Sequence, residues 1–329
     1  MLSFLARRFV AALVTLLIIS IMGFTIINLP AGDFVDYLTA RMAAGGSHIS
    51  QEQITSLRKK YGLDKPLYQQ YFYWMYNMMR GDMGISFQYN VPVTQLIGGE
   101  RLVLTLVVCG ATLVFVWVIG LPIGVYSATH QYSIGDNIAT FFAFLGLSIP
   151  NFLLALAILF VGVFYFGWTH PGGLFSPYYA DAAWSFGKFV NMLRHLWMPV
   201  VVVGTAQLAY VVRMMRGNLL DVINEPFTQT ARAKGLKEGK VIWRHALRVA
   251  INPMISLIGM QFPRLISGVI VTAIVLDLKV IGPVFYKALT TQDMYVAGAV
   301  LMLIGVLLVV GNFFADLALA WVDPRIRYA

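Results

Sequence analysis

The sequence predicts an all-α polytopic membrane protein with six transmembrane helices, and three observations lead there. Of 329 residues, 59% are hydrophobic and only 12% charged, and the mean hydropathy is +0.73, too apolar for an ordinary soluble domain. Six runs reach the roughly 20 apolar residues that a helix needs to cross a bilayer core: residues 9–29, 102–129, 138–168, 196–212, 251–276 and 295–322. The cations gather on alternate connections. A backbone inside lipid must satisfy its own hydrogen bonds, so the runs are expected to be helices.

The first run follows Arg7 and Arg8, as a signal peptide would. Its apolar part is longer than a usual signal core and no small-x-small site follows, so it reads as an uncleaved span behind a cytoplasmic stretch, 1–8. Residues 30–101 form a structured outer segment. There "SQEQITSLRKKYG" offers Ser50 as N-cap, Gln53 at the capping-box position and Gly62 as a stop. The next stretch, "DKPLYQQYFYWMYNMMRGDMG", has Pro66 at a first helical position and Gly81 at its end. Tyr68, Tyr71, Phe72, Trp74 and Tyr76 make it an interfacial helix, at headgroup depth or packed on the outer ends of spans.

Residues 102–329 form a five-helix core. The lone Cys109 excludes a disulfide framework, and Pro122, Pro150 and Pro199 are expected to kink their spans. The connection "WTHPGGLFSPYYADAAWSFGKF" reads as an outer cap, with Trp168 and Trp184 as interfacial anchors or a stacking surface for a ligand. Residues 213–250 form a basic loop: Arg213, Arg216, Arg232, Lys234, Lys237, Lys240, Arg244 and Arg248 stand against Asp221, Glu225 and Glu238. With Arg7, Arg8, Arg325 and Arg327 on the same side, the positive-inside rule puts both termini and this loop in the cytoplasm. The net charge of +9 therefore reflects topology and contact with membrane lipid, not nucleic acid.

Within that loop, Pro226 suits a helix start and Gly235 a stop. A second helical stretch, "KVIWRHALRVAIN", leads into the fifth span. The result is an elbow in which small Ala231 and Ala233 let another surface come close, flanked by Arg232 and Lys234. Physics alone leaves two readings open, a docking surface and a solvated basic loop.

Four stretches in order carry a resemblance: "YGLDKPLYQQYFYWM…RGDMGISFQYNVPV", "SIPNF", "FTQTARAKGLKEGKVIWRHALRVAINP" and "NFFADLALAWVDPRIR". The chain resembles, over nearly its whole length, the inner-membrane permease subunits of bacterial ABC importers of the dipeptide/oligopeptide type. The resemblance implies the type I importer permease fold and a coupling helix over 228–235 that docks on a partner ATPase. Thr228, Thr230, Ala231, Arg232, Ala233, Lys234, Gly235 and Leu236 are its implied coupling residues. The wider superfamily has Glu-Ala-Ala where Gln229, Thr230 and Ala231 stand, and proline where Arg248 stands; both departures suit the peptide-type branch. Implied partners are a second homologous permease, two cytoplasmic ATPase domains and a periplasmic solute-binding protein. ATP and magnesium would belong to those ATPases, with no cofactor or metal in this chain.

The residues agree that this chain lacks hydrolytic motifs. "GLKEGKV" has three residues between its glycines, and Val241 where a phosphate loop needs Ser or Thr. The five histidines are scattered. Arg264, about 20 Å into the fifth run at 1.5 Å per residue, is a candidate for the translocation path or for a structural ion pair, since a charge at that depth faces protein or water. Asn312 and Asp316, four apart on one face of the last run, are helix-packing candidates. A self-contained ion-coupled transporter is the alternative; it calls for clustered mid-membrane charges and an internal repeat, and neither is evident. A membrane enzyme ranks third because no catalytic constellation stands out. The residues are compatible with peptide or oligosaccharide cargo.

Overall fold

The computed structural model describes residues 2–46 and 50–322, with side chains described for 7–46, 50–255, 261 and 264–317. Arg325, Arg327 and the end of the last motif lie outside the described residues. In chain order the helices are α1 (Leu2–Ile27), α2 (Phe34–Ala44), α3 (Gln51–Tyr61), α4 (Leu67–Met79), α5 (Val93–Ile97), α6 (Gly99–Thr129), α7 (Ile134–Ser148) and α8 (Asn151–Phe164). They continue with α9 (Pro177–Ala180), α10 (Phe186–Ile223), α11 (Pro226–Ala233), α12 (Glu238–Lys240), a π-helical turn (Val241–Ala246), α13 (Leu247–Ala250), α14 (Asn252–Val275), α15 (Ile281–Thr290) and α16 (Met294–Val322). The described residues hold no named β-strand.

Four helices are long and apolar enough to cross a membrane, within 7–27, 93–129, 186–223 and 294–317, and α7 with α8 supplies a fifth crossing if the bent pair is one span. The chain is therefore a multi-pass helical membrane protein. Two expectations need correction. The run 138–168 is not one rod: α7 and α8 meet at 103°. Pro150 removes an amide and forces extended backbone before it, and Ile149 adopts φ −87°, ψ 119°. Secondly, the fourth helix does not stop at 212. It runs to Ile223, because cations end an apolar run without ending a helix, and buried Met215 and Leu219 hold the extension. Arg213, Arg216 and Asp221 are thus helical, and the loop opens at Asn224. The Pro122 and Pro199 positions lie inside unbroken helices. The fifth run corresponds to α14.

The chain falls into two units, one of residues up to 105 with 280–309, the other of 106–279 with residues from 310 on. In the first, Asp33 and Asp36 close a capping box on α2, a signal the sequence reading passed over, while Ser50 and Gln53 close the expected one on α3. Arg58 ties the two helices, 2.7 Å from Asp36 and 3.1 Å from Asp33. The aromatic helix α4 packs on α1 and α16. Trp74 is 2% exposed and sits against Gly298, where an added methyl would lie 2.8 Å from the indole; Tyr71 shares a 2.9 Å hydrogen bond with Ser20. Buried Asp293 accepts from Ser86 Oγ (2.5 Å) and Gln88 N–H (3.1 Å), fixing the start of α16.

In the second unit, Val116, Val125, Val211, Met215, Leu219, Ile242, Ala246 and Met254 form one buried cluster. Between helices that stand in lipid such a cluster is held by close van der Waals packing, not by transfer out of water. Gly124 lets α6 close on α10: an added methyl would lie 2.6 Å from Met215. Helices α7 and α10 are antiparallel, since Asp136 meets Arg216 while Gly146 meets Thr205. Trp168 meets Trp197 edge-on and Trp184 meets Phe175, and Trp184 remains 51% exposed.

Candidate functional site

Asn224 and Pro226 turn the chain out of α10 and start α11. At that corner the α10 ladder ends, with Val222 O still accepting from Glu225 N–H at 3.1 Å. Thr228 braces the corner: its Oγ1 lies 2.6 Å from Glu225 O at the start of α11, and 2.9 Å from Ile223 O and 3.4 Å from Val222 O at the end of α10, and the residue is fully buried. Three residues on, Ala231 is buried on the same helix face. Gly235 then ends the segment at φ 75°, a conformation glycine adopts without strain.

Arg232 closes the elbow. Its Nη2 donates to Glu238 Oε1 at 2.7 Å, its Nε to Oε2 at 3.0 Å and its Nη1 to Ile223 O at 3.1 Å. One guanidinium so ties α11 to both α12 and the end of α10. Hydrogen bonding to Arg232 lowers the Glu238 pKa, and the reciprocal bond raises that of Arg232. The π-helical turn that follows buries Val241, Ile242 and Ala246.

The coupling candidates therefore divide. Thr228 and Ala231 face inward; Arg232 and Leu236 are half-buried; Thr230, Ala233, Lys234 and Gly235 are exposed. Two exposed aromatics escaped the sequence reading, Phe227 at 42% and Trp243 at 57%. Their signal was an aromatic ring in a polar, basic stretch. The "GLKEGKV" segment is spent on this elbow.

A second charged centre was also missed. Asp136 on α7, 2% exposed, accepts from Arg216 Nε (3.2 Å) and Nη2 (3.1 Å), from Tyr132 N–H (2.9 Å) and from Ser127 Oγ. It joins α6, α7 and α10. Arg264 is exposed on α14 and, among the described residues, forms no ion pair. Near it, buried Gln261 accepts from Trp117 Nε1 at 3.1 Å. Asn312 and Asp316 lie a turn apart on α16, both half-buried. The described residues hold no group of three His, Cys, Asp or Glu able to bind a metal.

The family described as "Binding-protein-dependent transport system inner membrane component" matches residues 120–328, and its N-terminal companion matches 1–109. The chain belongs to this family. The permease is 36% identical over its whole length to all of the oligopeptide transport system permease protein AppB of Bacillus subtilis. It is 32% identical, over its whole length and 99% of that protein, to the dipeptide transport system permease protein DppB of Escherichia coli K12. The oligopeptide transport system permease protein OppB of Haemophilus influenzae is 30% identical over the full length of both chains. The permease is accordingly a transport component and not an enzyme.

Proposed function

We propose that this permease passes peptides from a periplasmic binding protein into the cytoplasm as one half of the membrane channel of an ATP-driven importer. Peptide cargo is carried from the printed names of its relatives. The chain crosses the bacterial inner membrane six times with both termini and the elbow in the cytoplasm, a reading supported by the cations of α10 and the 224–250 segment. Its partners are a second homologous permease, two ATPase domains that bind ATP and magnesium, and the binding protein.

The observation that carries this reading is the elbow, a short helix braced from within by Thr228 and Arg232 whose outer face is exposed. A lever needs a stiff attachment to the spans and a free contact face; α11 has both. Thr230, Ala233, Lys234, Gly235 and exposed Phe227 form the contact, with Arg232 and Glu238 as the brace. Ala233→Arg adds bulk to the contact face and touches neither brace. In the purified complex it should release the ATPase subunits while the two permeases stay together; ATPase retained at full stoichiometry would sink the reading.

Arg264 lines the translocation path, held for a polar or anionic part of the cargo, because an exposed mid-helix guanidinium needs protein or water beside it. Asn312 and Asp316 pack helices. Arg264→Met should cut peptide uptake in proteoliposomes about tenfold, equivalent to one lost polar contact, with assembly intact. Unchanged uptake removes Arg264 from the path.

A further inference from the structure

We propose that the cleft between α7 and α10 holds one anionic phospholipid, its headgroup phosphate on Arg213 and Arg216 and an acyl chain along Phe144 and Leu147. The proposal rests on these helices standing in a bilayer, not on the elbow.

The cleft is a cavity of about 290 Å3 lined by residues of α7 and α10 with Ser127 and Tyr132. Its lining is sorted along one axis. On α7 the polar Asp136, Asn137 and Thr140 come first, and Ala143, Phe144 and Leu147 follow over the next two turns. On antiparallel α10 the order reverses, with Arg216 and Arg213 level with the polar end and Val212 and Ala209 toward the apolar one. Two helices thus agree on a gradient from charged to apolar along their own axes, which in a bilayer is the direction from headgroup to hydrocarbon. A soluble anion would need only the polar end. A buried apolar contact would leave the arginines without purpose.

The charges select the sign of the ligand. Asp136 is neutralised by Arg216, whose Nε and Nη2 it occupies. Arg213, one turn earlier on the same helix face and exposed, forms no ion pair among the described residues. The cavity therefore keeps one uncompensated positive charge at its polar end. A guanidinium forks onto phosphate oxygens, and basic pockets between spans on the cytoplasmic side suit acidic headgroups. Exposed Ile138, Phe141 and Phe142 on α7 keep lipid beside the cleft.

The test uses the intact transporter complex, purified in mild detergent and incubated with equal amounts of phosphatidylglycerol and phosphatidylcholine, read by native mass spectrometry. One phosphatidylglycerol should be retained per copy of this chain in clear preference to phosphatidylcholine. Arg213→Gln should lower that retention about tenfold, the loss of one charge-assisted contact. Ala143→Trp, which fills the apolar end and leaves both arginines in place, should lower it similarly. Three results overturn the proposal: both variants retaining lipid like the unaltered chain, equal retention of phosphatidylcholine, or full displacement by millimolar inorganic phosphate. So does crosslinking of a Phe144→Cys probe to another subunit in the complex, which would make the cleft a protein contact. Ala233→Arg should leave lipid retention unchanged while it releases the ATPase, so this proposal and the functional one fail separately.

Discussion

Arg216 with Asp136 and Arg232 with Glu238 are built from the same two chemical groups in opposite surroundings. The first pair joins residues 80 apart, and its carboxylate side chain is 3% exposed. The second joins residues six apart, with side chains 34% and 54% exposed. Burial raises the cost of breaking a pair, because the group left behind loses both partner and water. Exposure lowers it, because water takes over. The difference assigns mechanical roles: the buried pair fixes the frame of α6, α7 and α10, and the exposed pair sets the stiffness of a part that water can release.

The comparison breaks most sharply at Arg216. Replacing Arg216 with Met strands a carboxylate that keeps Ser127, Tyr132 and Thr140 as donors but no cation, and should cost about 3 kcal/mol, the low end for a broken buried pair. Asp136→Asn should cost less, since the Arg216 side chain is 30% exposed and can turn to water. Thermal unfolding of the detergent-purified chain measures both; equal losses would mean that burial does not separate the partners. Thr228→Val comes next at about 1 kcal/mol, because a buried hydroxyl stops donating at the corner while Ile223 O keeps Arg232 Nη1 and Val222 O keeps the Glu225 amide. Hydrogen exchange of 222–228 should quicken in that variant. Arg232→Ala should cost under about 1 kcal/mol globally, yet loosen 225–238 and weaken ATPase stimulation more than its stability loss explains.

The smallest effects sharpen the comparison by solvent alone. Glu238 titrates below its ordinary value, so its pairing stabilises the elbow fully above the unfolded carboxylate pKa of about 4.3. That stabilisation is lost as pH falls through the lowered folded value. Proteolysis within 225–238 should rise over that acid interval and also with salt at neutral pH, since an exposed pair is screened. Contacts around Asp136 should respond to salt far less.

Much of this was legible in the chain because local chemistry wrote it. Pro226 and Gly235 bracket α11, Ser50 and Gln53 cap α3, and apolar runs mark the long helices. The Asp33–Asp36 box is equally local, but it has Asp at both positions where the common form pairs Ser or Thr with Glu or Gln. What stayed hidden depends on contacts across long stretches of chain. Nothing near Asp136 names Arg216 as its partner, and hydropathy ended the fourth run at Arg213 although helicity does not require apolarity. Pro150 announced a bend; its angle is set by how α8 packs on α10 and α14. Thr228 and Ala231 read as contact residues because the sequence cannot say which side of α11 faces home.

The corner at Pro150 has one more consequence. In a straight helix the carbonyls of Gly146, Leu147 and Ser148 would meet amides at positions 150–152; the 103° turn carries those positions away, and proline brings no amide at all. Leu153 and Leu154 spend their own amides on the Pro150 carbonyl. Hydrocarbon tails offer such carbonyls nothing, so they must rest against protein or moisture. Wherever this corner comes to lie in the assembled transporter, a protein donor or a water has to meet it there.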